Sequence, residues 1–192
     1  MPKEMPEPDR YDIALTQAEP AHSYLVIGYG NPLLGDDGFG QGVAEALEKA
    51  APRLNLPVKI LTTIALGPEL IASIRQASLV VFIDINRHMA PGEIACVDLT
   101  SGDQATGFIP VQNLPEPFNV SLASSHSCHP SALLLMTEAL YNYCPESKLF
   151  TAGGERFALG ENLSPSVRNK IPIIRNAIIV LVGQKFKNLQ TS

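Results

Sequence analysis

The sequence contains no tryptophan and only three cysteines, and these shortages narrow the class of protein. Three is an odd number, and none of the cysteines shows the CxxC spacing of a zinc site, so the pattern argues against a disulfide framework and a zinc knuckle. We expect reduced thiols and a cytoplasmic protein. The residues concerned are Cys96, Cys128 and Cys144.

Long apolar runs and clusters of positive charge are also missing. No run reaches the roughly 20 residues that a membrane-spanning helix needs, and the N-terminus is polar and rich in proline, unlike a signal peptide. The 14 Lys and Arg residues are scattered and outnumbered by 19 Asp and Glu residues, which gives a net charge of −5. We therefore expect a soluble protein with neither a membrane nor a nucleic acid as partner.

What is present is an alternation of apolar strands and helices over most of the 192 residues. It predicts a single α/β domain at residues 23–187, folded as a three-layer α/β/α sandwich with a mostly parallel twisted sheet, after a flexible leader at residues 1–22. Residues 100–125 are irregular and predict an exposed binding loop, and Pro172 predicts a kink or a delayed start in the last helix. The predicted strands are 23–27, 58–62, 79–83, 93–99 (near an edge) and 149–152, and the predicted helices are 38–50 (with Pro52 in the loop that follows), 67–76, 130–143 and 164–185.

A glycine-rich loop, GYGNPLLGDDGFGQG at residues 28–42, lies between the first strand and the first helix. Ligands commonly bind at such junctions in α/β proteins. The loop does not match the dinucleotide fingerprint, because Leu33 occupies the position of the third glycine, and Asp36 and Asp37 would repel a pyrophosphate. A cation or a metal-bound group suits two adjacent carboxylates better; the simpler alternative is that one of them caps the helix.

The strongest strand pattern in the chain, at residues 79–83, leads directly into Asp84. If this strand neighbours the first strand, Asp37 and Asp84 face one crevice at the carboxyl edge of the sheet. His126 and His129 lie in a serine-rich loop before a helix, from which they can reach the same edge. Two carboxylates and one imidazole can form a three-ligand face for a divalent transition metal, with positions left open for water or substrate.

The sequence gives less support to catalysis by a serine or cysteine nucleophile than to a metal site. The sequence has no GxSxG elbow, and Cys128 lies beside His126 and His129 in the chain, which is a poor placement for a nucleophile and its base. A hydrolase with a resident zinc ion and a nucleotide-binding oxidoreductase remain open alternatives at this point. Metal analysis of the purified protein and titration with NAD or FAD distinguish them.

Together these residues resemble the hydrogenase maturation protease family over about residues 23–185. The resemblance is carried by the glycine-rich loop, the apolar strand that ends in Asp84 and the pair Ser125-His126. It implies an α/β/α fold and an endopeptidase that removes the C-terminal extension of a nickel-loaded [NiFe] hydrogenase large-subunit precursor.

The resemblance also implies roles for individual residues. Asp37, Asp84 and His126 would contact nickel and act in catalysis, with His129 as the alternative to His126. The nickel would be supplied by the substrate and used for recognition, and the protein would be a monomer. The segment at residues 62–70 departs from the Gly-Gly-Thr-like loop of many members, so no particular hydrogenase is implied. The alternative function is a non-catalytic checkpoint or chaperone that uses the same residues during hydrogenase assembly.

Overall fold

Five strands form one sheet in a computed structural model that describes residues 24–100 and 128–190. The strand order is β2-β1-β3-β5-β4, and every neighbouring pair is parallel except β4 with β5. This confirms a mostly parallel sheet with the strand at residues 93–99 near an edge; the antiparallel direction of that strand is a finding of the structure. The strands are β1 (Tyr24–Tyr29), β2 (Val58–Thr63), β3 (Leu79–Asn86), β4 (Ile94–Leu99) and β5 (Glu146–Gly153).

Helices cover both faces of the sheet, as the continuous apolarity of β1 and β3 requires. On one face α1 and α5 pack against the sheet around Phe39, Val43 and Ile178. On the other, α2 and α3 pack around Ile74 and Leu134. The two buried clusters confirm the three-layer α/β/α sandwich. The helices are α1 (Phe39–Leu54), α2 (Ile71–Ile74), α3 (Pro130–Tyr141), α4 (Pro165–Arg168) and α5 (Ile171–Gln190).

Three details of the elements bear on the sequence predictions. Pro52, for which the sequence predicts a loop, lies inside the last turns of α1. Strand β3 does not end before Asp84 but continues through it to Asn86, because β5 pairs with it over its full length. The predicted effect of Pro172 is confirmed: α4 ends at Arg168 and α5 begins at Ile171, with Pro172 in the first turn of the new helix.

Some predictions concern residues outside the described ranges. The leader at residues 1–22 lies outside them, as does almost all of the predicted binding loop at residues 100–125. In the part of the chain that the structure describes, no helix combines the length and apolar character needed to cross a membrane.

The topology places the carboxyl ends of β1 and β3 side by side. The two strands are parallel neighbours, with Gly28 opposite Ile83. The loop after β1 and the end of β3 therefore share one edge of the sheet, which is where ligands usually bind in open α/β sheets.

Candidate active site

Asp37 lies in the loop after β1, in the 3₁₀ turn (Gly35–Gly38) that leads into α1. The backbone N–H of Asn31 donates a 2.8 Å hydrogen bond to its Oδ2. Its Oδ1 lies 3.9 Å from an Nη of Arg87, beyond hydrogen-bond distance, and the side chain is 22% exposed. One oxygen thus orients the carboxylate, and the other remains accessible to a ligand.

Asp84, near the end of β3, is the second carboxylate at this edge. Burial raises its pKa to about 6, even though the N–H of Ile85 and the hydroxyl of Tyr29 donate hydrogen bonds to it. The negative charge of Asp37 contributes to this raised pKa, and the positive charge of Arg87 opposes it. The structure therefore brings Asp37 and Asp84 close enough to interact electrostatically, and a cation between them would relieve both the desolvation and the repulsion.

Asp36 has a different environment from its neighbour, because it is fully buried. Its carboxylate accepts hydrogen bonds from the backbone N–H groups of Glu155 (2.9 Å), Arg156 (3.0 Å) and Ser164 (2.6 Å) and from the Ser164 hydroxyl (3.0 Å). Burial alone would raise the pKa of Asp36, but these hydrogen bonds outweigh it and lower the pKa. Asp36 thus joins the start of α1 to the segment between β5 and α4, and it has little capacity left for a ligand.

Neither acid caps α1 with its side chain. The capping alternative considered from the sequence therefore does not explain the pair. Ser164, whose hydroxyl Asp36 binds, is itself the N-cap of α4 and accepts from the N–H of Val167. The first acid of the pair thus stabilises another helix start, 128 residues further along the chain.

Close backbone packing explains the glycines around the acids. A Cβ on Gly40, in the first turn of α1, would overlap the carbonyl oxygens of Tyr29 and Ile83, so α1 lies directly against β1 and β3. Gly30 has a φ of +123°, which side-chain-bearing residues rarely adopt, and a Cβ there would overlap the carbonyl oxygen of Asp37. These glycines let the helix start approach the sheet edge and so place Asp37 beside Asp84.

The two candidate histidines differ in what the structure describes. His126 lies outside the described residues. His129 is the N-cap of α3, where its Nδ1 accepts from the N–H of Ser131 at 3.3 Å, and burial lowers its pKa. The N–H of Cys128 donates a hydrogen bond to the carbonyl oxygen of Leu66. This bond anchors the start of the α3 segment to the loop that follows β2. Within residues 24–100 and 128–190, no three His, Cys, Asp or Glu side chains lie close enough to hold a metal, so His129 does not complete a triad with the two acids.

Sequence reasoning missed two residues at this edge. Tyr29 is the last residue of β1 and donates to Asp84, and both burial and the charge of Asp84 raise its pKa well above the ordinary value. Arg87 follows β3, and its guanidinium lies 3.9 Å from the ring centroid of Phe157. Both residues lie next to a predicted strand end, so the sequence could have placed them at this edge of the sheet. It could not predict that their side chains turn toward the acids.

Asp37 and Asp84 fit a divalent metal as partial ligands. Carboxylate oxygens are suitable ligand atoms for a divalent metal ion. The Oδ1 of Asp37, which has only the long contact to Arg87 at 3.9 Å, and the incompletely compensated charge of Asp84 both favour a cation at this point. Two carboxylates alone form an open site, which suits transient contact with a metal that another molecule already holds.

Solved hydrogenase maturation proteases share this fold. The [NiFe] hydrogenase maturation protease HycI from Thermococcus kodakarensis is 21% identical with a TM-score of 0.59, and the alignment covers 84% of this chain and 92% of that one. The hydrogenase maturating endopeptidase HybD from Escherichia coli is 20% identical with a TM-score of 0.60 (84% and 93% coverage). An endopeptidase from Escherichia coli, solved in solution, is 21% identical with a TM-score of 0.61 (82% and 90% coverage).

At identities of 20 to 21%, this likeness establishes the shared fold. No protein-family model matches the sequence, and no curated protein matches it.

Proposed function

We propose that this chain is an endopeptidase that removes the C-terminal extension of a nickel-loaded [NiFe] hydrogenase large-subunit precursor. The observation that carries the proposal is the pair Asp37 and Asp84, one in the turn after β1 and the other near the end of β3, at the carboxyl edge that these neighbouring strands share. The pair lies in a fold shared with proteins described as hydrogenase maturation proteases.

In this proposal Asp37, Asp84 and His126 contact the nickel that the precursor carries, with His129 as the alternative imidazole. A divalent metal polarises a carbonyl oxygen and lowers the pKa of bound water. The chain's own residues orient the precursor's metal against the sheet edge. Asp84 is suited to accept a proton, since its pKa of about 6 lies close to neutral pH.

The remaining features of the proposal concern where and how the protein works. All three cysteines are free, which is typical of a reducing compartment. We infer a cytoplasmic monomer that meets its precursor in solution, with nickel supplied by that precursor and no resident metal.

The decisive experiment incubates the protein with candidate precursors, each with and without nickel, and measures the C-terminal mass shift of the large subunit. Wild-type protein should shorten the nickel-loaded form only, and prior treatment of the protease with a chelator should not change the rate. Asp37→Asn should abolish the shift. Asp98→Asn, an exposed acid on β4 that pairs with Lys148, is the matched control and should cleave normally.

The same measurement distinguishes the alternative. A non-catalytic checkpoint would bind the nickel-loaded precursor and leave its mass unchanged. Normal cleavage by Asp37→Asn would contradict the proposed site, and cleavage of the nickel-free precursor would contradict the role of the metal.

A further inference from the structure

Arg87 is a cation at the candidate site, and it contacts an aromatic ring as well as an acid. Its guanidinium carbon lies 3.9 Å from the centroid of the Phe157 ring. One Nη lies 3.9 Å from Oδ1 of Asp37, and the side chain is 54% exposed. The positive charge also acts on Asp84, whose pKa it lowers.

The two contacts of Arg87 differ in which part of the guanidinium they occupy. The half-exposed ion pair with Asp37, at 3.9 Å, contributes little to stability. Stacking on Phe157 uses the flat face of the guanidinium and leaves the N–H groups along its edge free to donate. Arg87 is therefore held in place at the site while its donors remain available.

A metal arriving at Asp37 changes the electrostatics around Arg87. A dication bound by the carboxylates neutralises the charge that Arg87 had faced, and it repels the guanidinium. Because Phe157 still holds the side chain, Arg87 stays at the rim of the site. Its donors are then available to an acceptor on the molecule that brought the metal.

We propose that Arg87 exchanges partners during the reaction: it is the counter-ion of Asp37 in the free protein and binds the scissile carbonyl oxygen of the metal-loaded precursor in the complex. This inference rests on the proposed function. During hydrolysis, the oxygen of a water molecule bonds to the carbonyl carbon, and the carbonyl oxygen becomes negative. The carbonyl double bond then re-forms as the C–N bond breaks, and the leaving nitrogen takes the proton that the attacking water gives up. Arg87 remains protonated throughout and stabilises the oxyanion.

The exchange makes Arg87→Met change two measurements in opposite directions. Without the competing cation, the protein should bind Ni²⁺ alone about two- to fivefold more tightly, the range expected for an exposed ion pair. The dissociation constant is measured from the loss of amide NMR signals around Asp37 and Asp84 as Ni²⁺ is added, a method that reaches millimolar affinities. In cleavage of the nickel-loaded precursor, kcat should fall about 100-fold, as for the loss of one oxyanion donor, with little change in KM.

Two further variants separate charge from geometry. Arg87→Lys keeps the charge but loses the planar fork, so Ni²⁺ affinity should stay at the wild-type value while kcat falls. Phe157→Leu removes the stacking partner and should lower kcat with Arg87 intact. Arg75→Met is the matched control and should change neither measurement. Arg75 also stacks on an aromatic ring, that of Tyr141 at 4.7 Å, but it lies near the amino ends of the strands, away from the two acids.

Each outcome bears on the inference. Wild-type kcat in Arg87→Met overturns the contact with the carbonyl oxygen, and Ni²⁺ affinity equal to or weaker than wild type overturns the exchange. A purely structural role would give weaker Ni²⁺ binding together with lower stability. If wild-type protein cleaves no precursor, the proposed function fails, whereas the Ni²⁺ titration still tests the counter-ion role independently.

Discussion

At the scale of single residues, the adjacent acids Asp36 and Asp37 have different environments. Asp36 is buried and accepts four hydrogen bonds, and Asp37 keeps one oxygen accessible. Asp36→Asn replaces one accepting oxygen with a donor that faces N–H groups, so the free energy of unfolding at pH 7 should fall by about 3 kcal/mol. Chemical denaturation measures this, and Asp37→Asn, which leaves that network intact, should change stability by less than about 1 kcal/mol.

The stability supplied by Asp36 should depend on pH in a defined direction. Its folded-state pKa lies below the ordinary 3.8, so the native state favours the charged form. The stabilisation is therefore complete above about pH 4 and is lost as the pH falls through the folded-state pKa. The difference in unfolding free energy between wild type and Asp36→Asn should shrink in that range. A difference that stays constant down to pH 2 would contradict the role of the charged form.

Asp84 is the residue for which the proposed function opposes stability. Its pKa is raised from 3.8 to about 6 by burial above all, so the folded protein binds a proton more tightly than the unfolded chain does. Stability should fall as the pH rises from about 4 to 6 and then level off. Asp84→Asn should consequently be more stable than wild type at pH 7.5, by about 1–2 kcal/mol, and inactive in precursor cleavage. Denaturation curves at pH 4 and pH 7.5 test this, and equal stability of the two proteins at pH 7.5 would contradict it.

At the scale of elements, the site depends on how closely α1 approaches the sheet. Gly40 has no room for a Cβ against the carbonyl oxygens of Tyr29 and Ile83. Gly40→Ala should force the helix start away from the strands and destabilise the protein by about 3 kcal/mol. Gly183, inside α5, has open space where a Cβ would lie, with nothing within 4 Å, so Gly183→Ala should stabilise by about 0.5–1 kcal/mol. In thermal unfolding, Gly40→Ala should lower the melting temperature and Gly183→Ala should raise it. Equal changes in the two variants would mean that helix propensity alone sets the effect of the substitution.

The elements also indicate what the sequence could predict. Continuous apolar runs and alternating helices were enough for the α/β/α class and for β1 and β3 as buried strands. Strand ends were less predictable, because β3 continues past Asp84 only through its pairing with β5, which no local pattern reveals. The loop predicted at Pro52 was wrong for a similar reason: local preference disfavours proline within a helix, yet α1 continues through it.

At the scale of the whole molecule, the site is assembled from segments that are distant in the chain. Asp37 and Asp84 could be predicted as neighbours, because the carboxyl ends of adjacent parallel strands share one edge. The burial of Asp36 could not, since its partners lie near residues 155 and 164 and bind through backbone groups that any sequence possesses. The stacking of Arg87 on Phe157 also depends on tertiary packing, and a lone arginine after a strand has no recognisable pattern.

The proposed third contact to the precursor's metal is the remaining test of this assembly, and two histidines are candidates for it. His129 already accepts a hydrogen bond at the start of α3, so His129→Ala should lower the free energy of unfolding by about 1 kcal/mol and leave cleavage of the nickel-loaded precursor intact. His126→Ala should reduce cleavage at least 100-fold, because the metal would lose its imidazole contact. Measuring unfolding and C-terminal mass shift on both variants separates the roles. Loss of cleavage in folded His129→Ala, with normal cleavage by His126→Ala, would assign the contact to His129 and would require its ring to leave the helix start when the precursor binds.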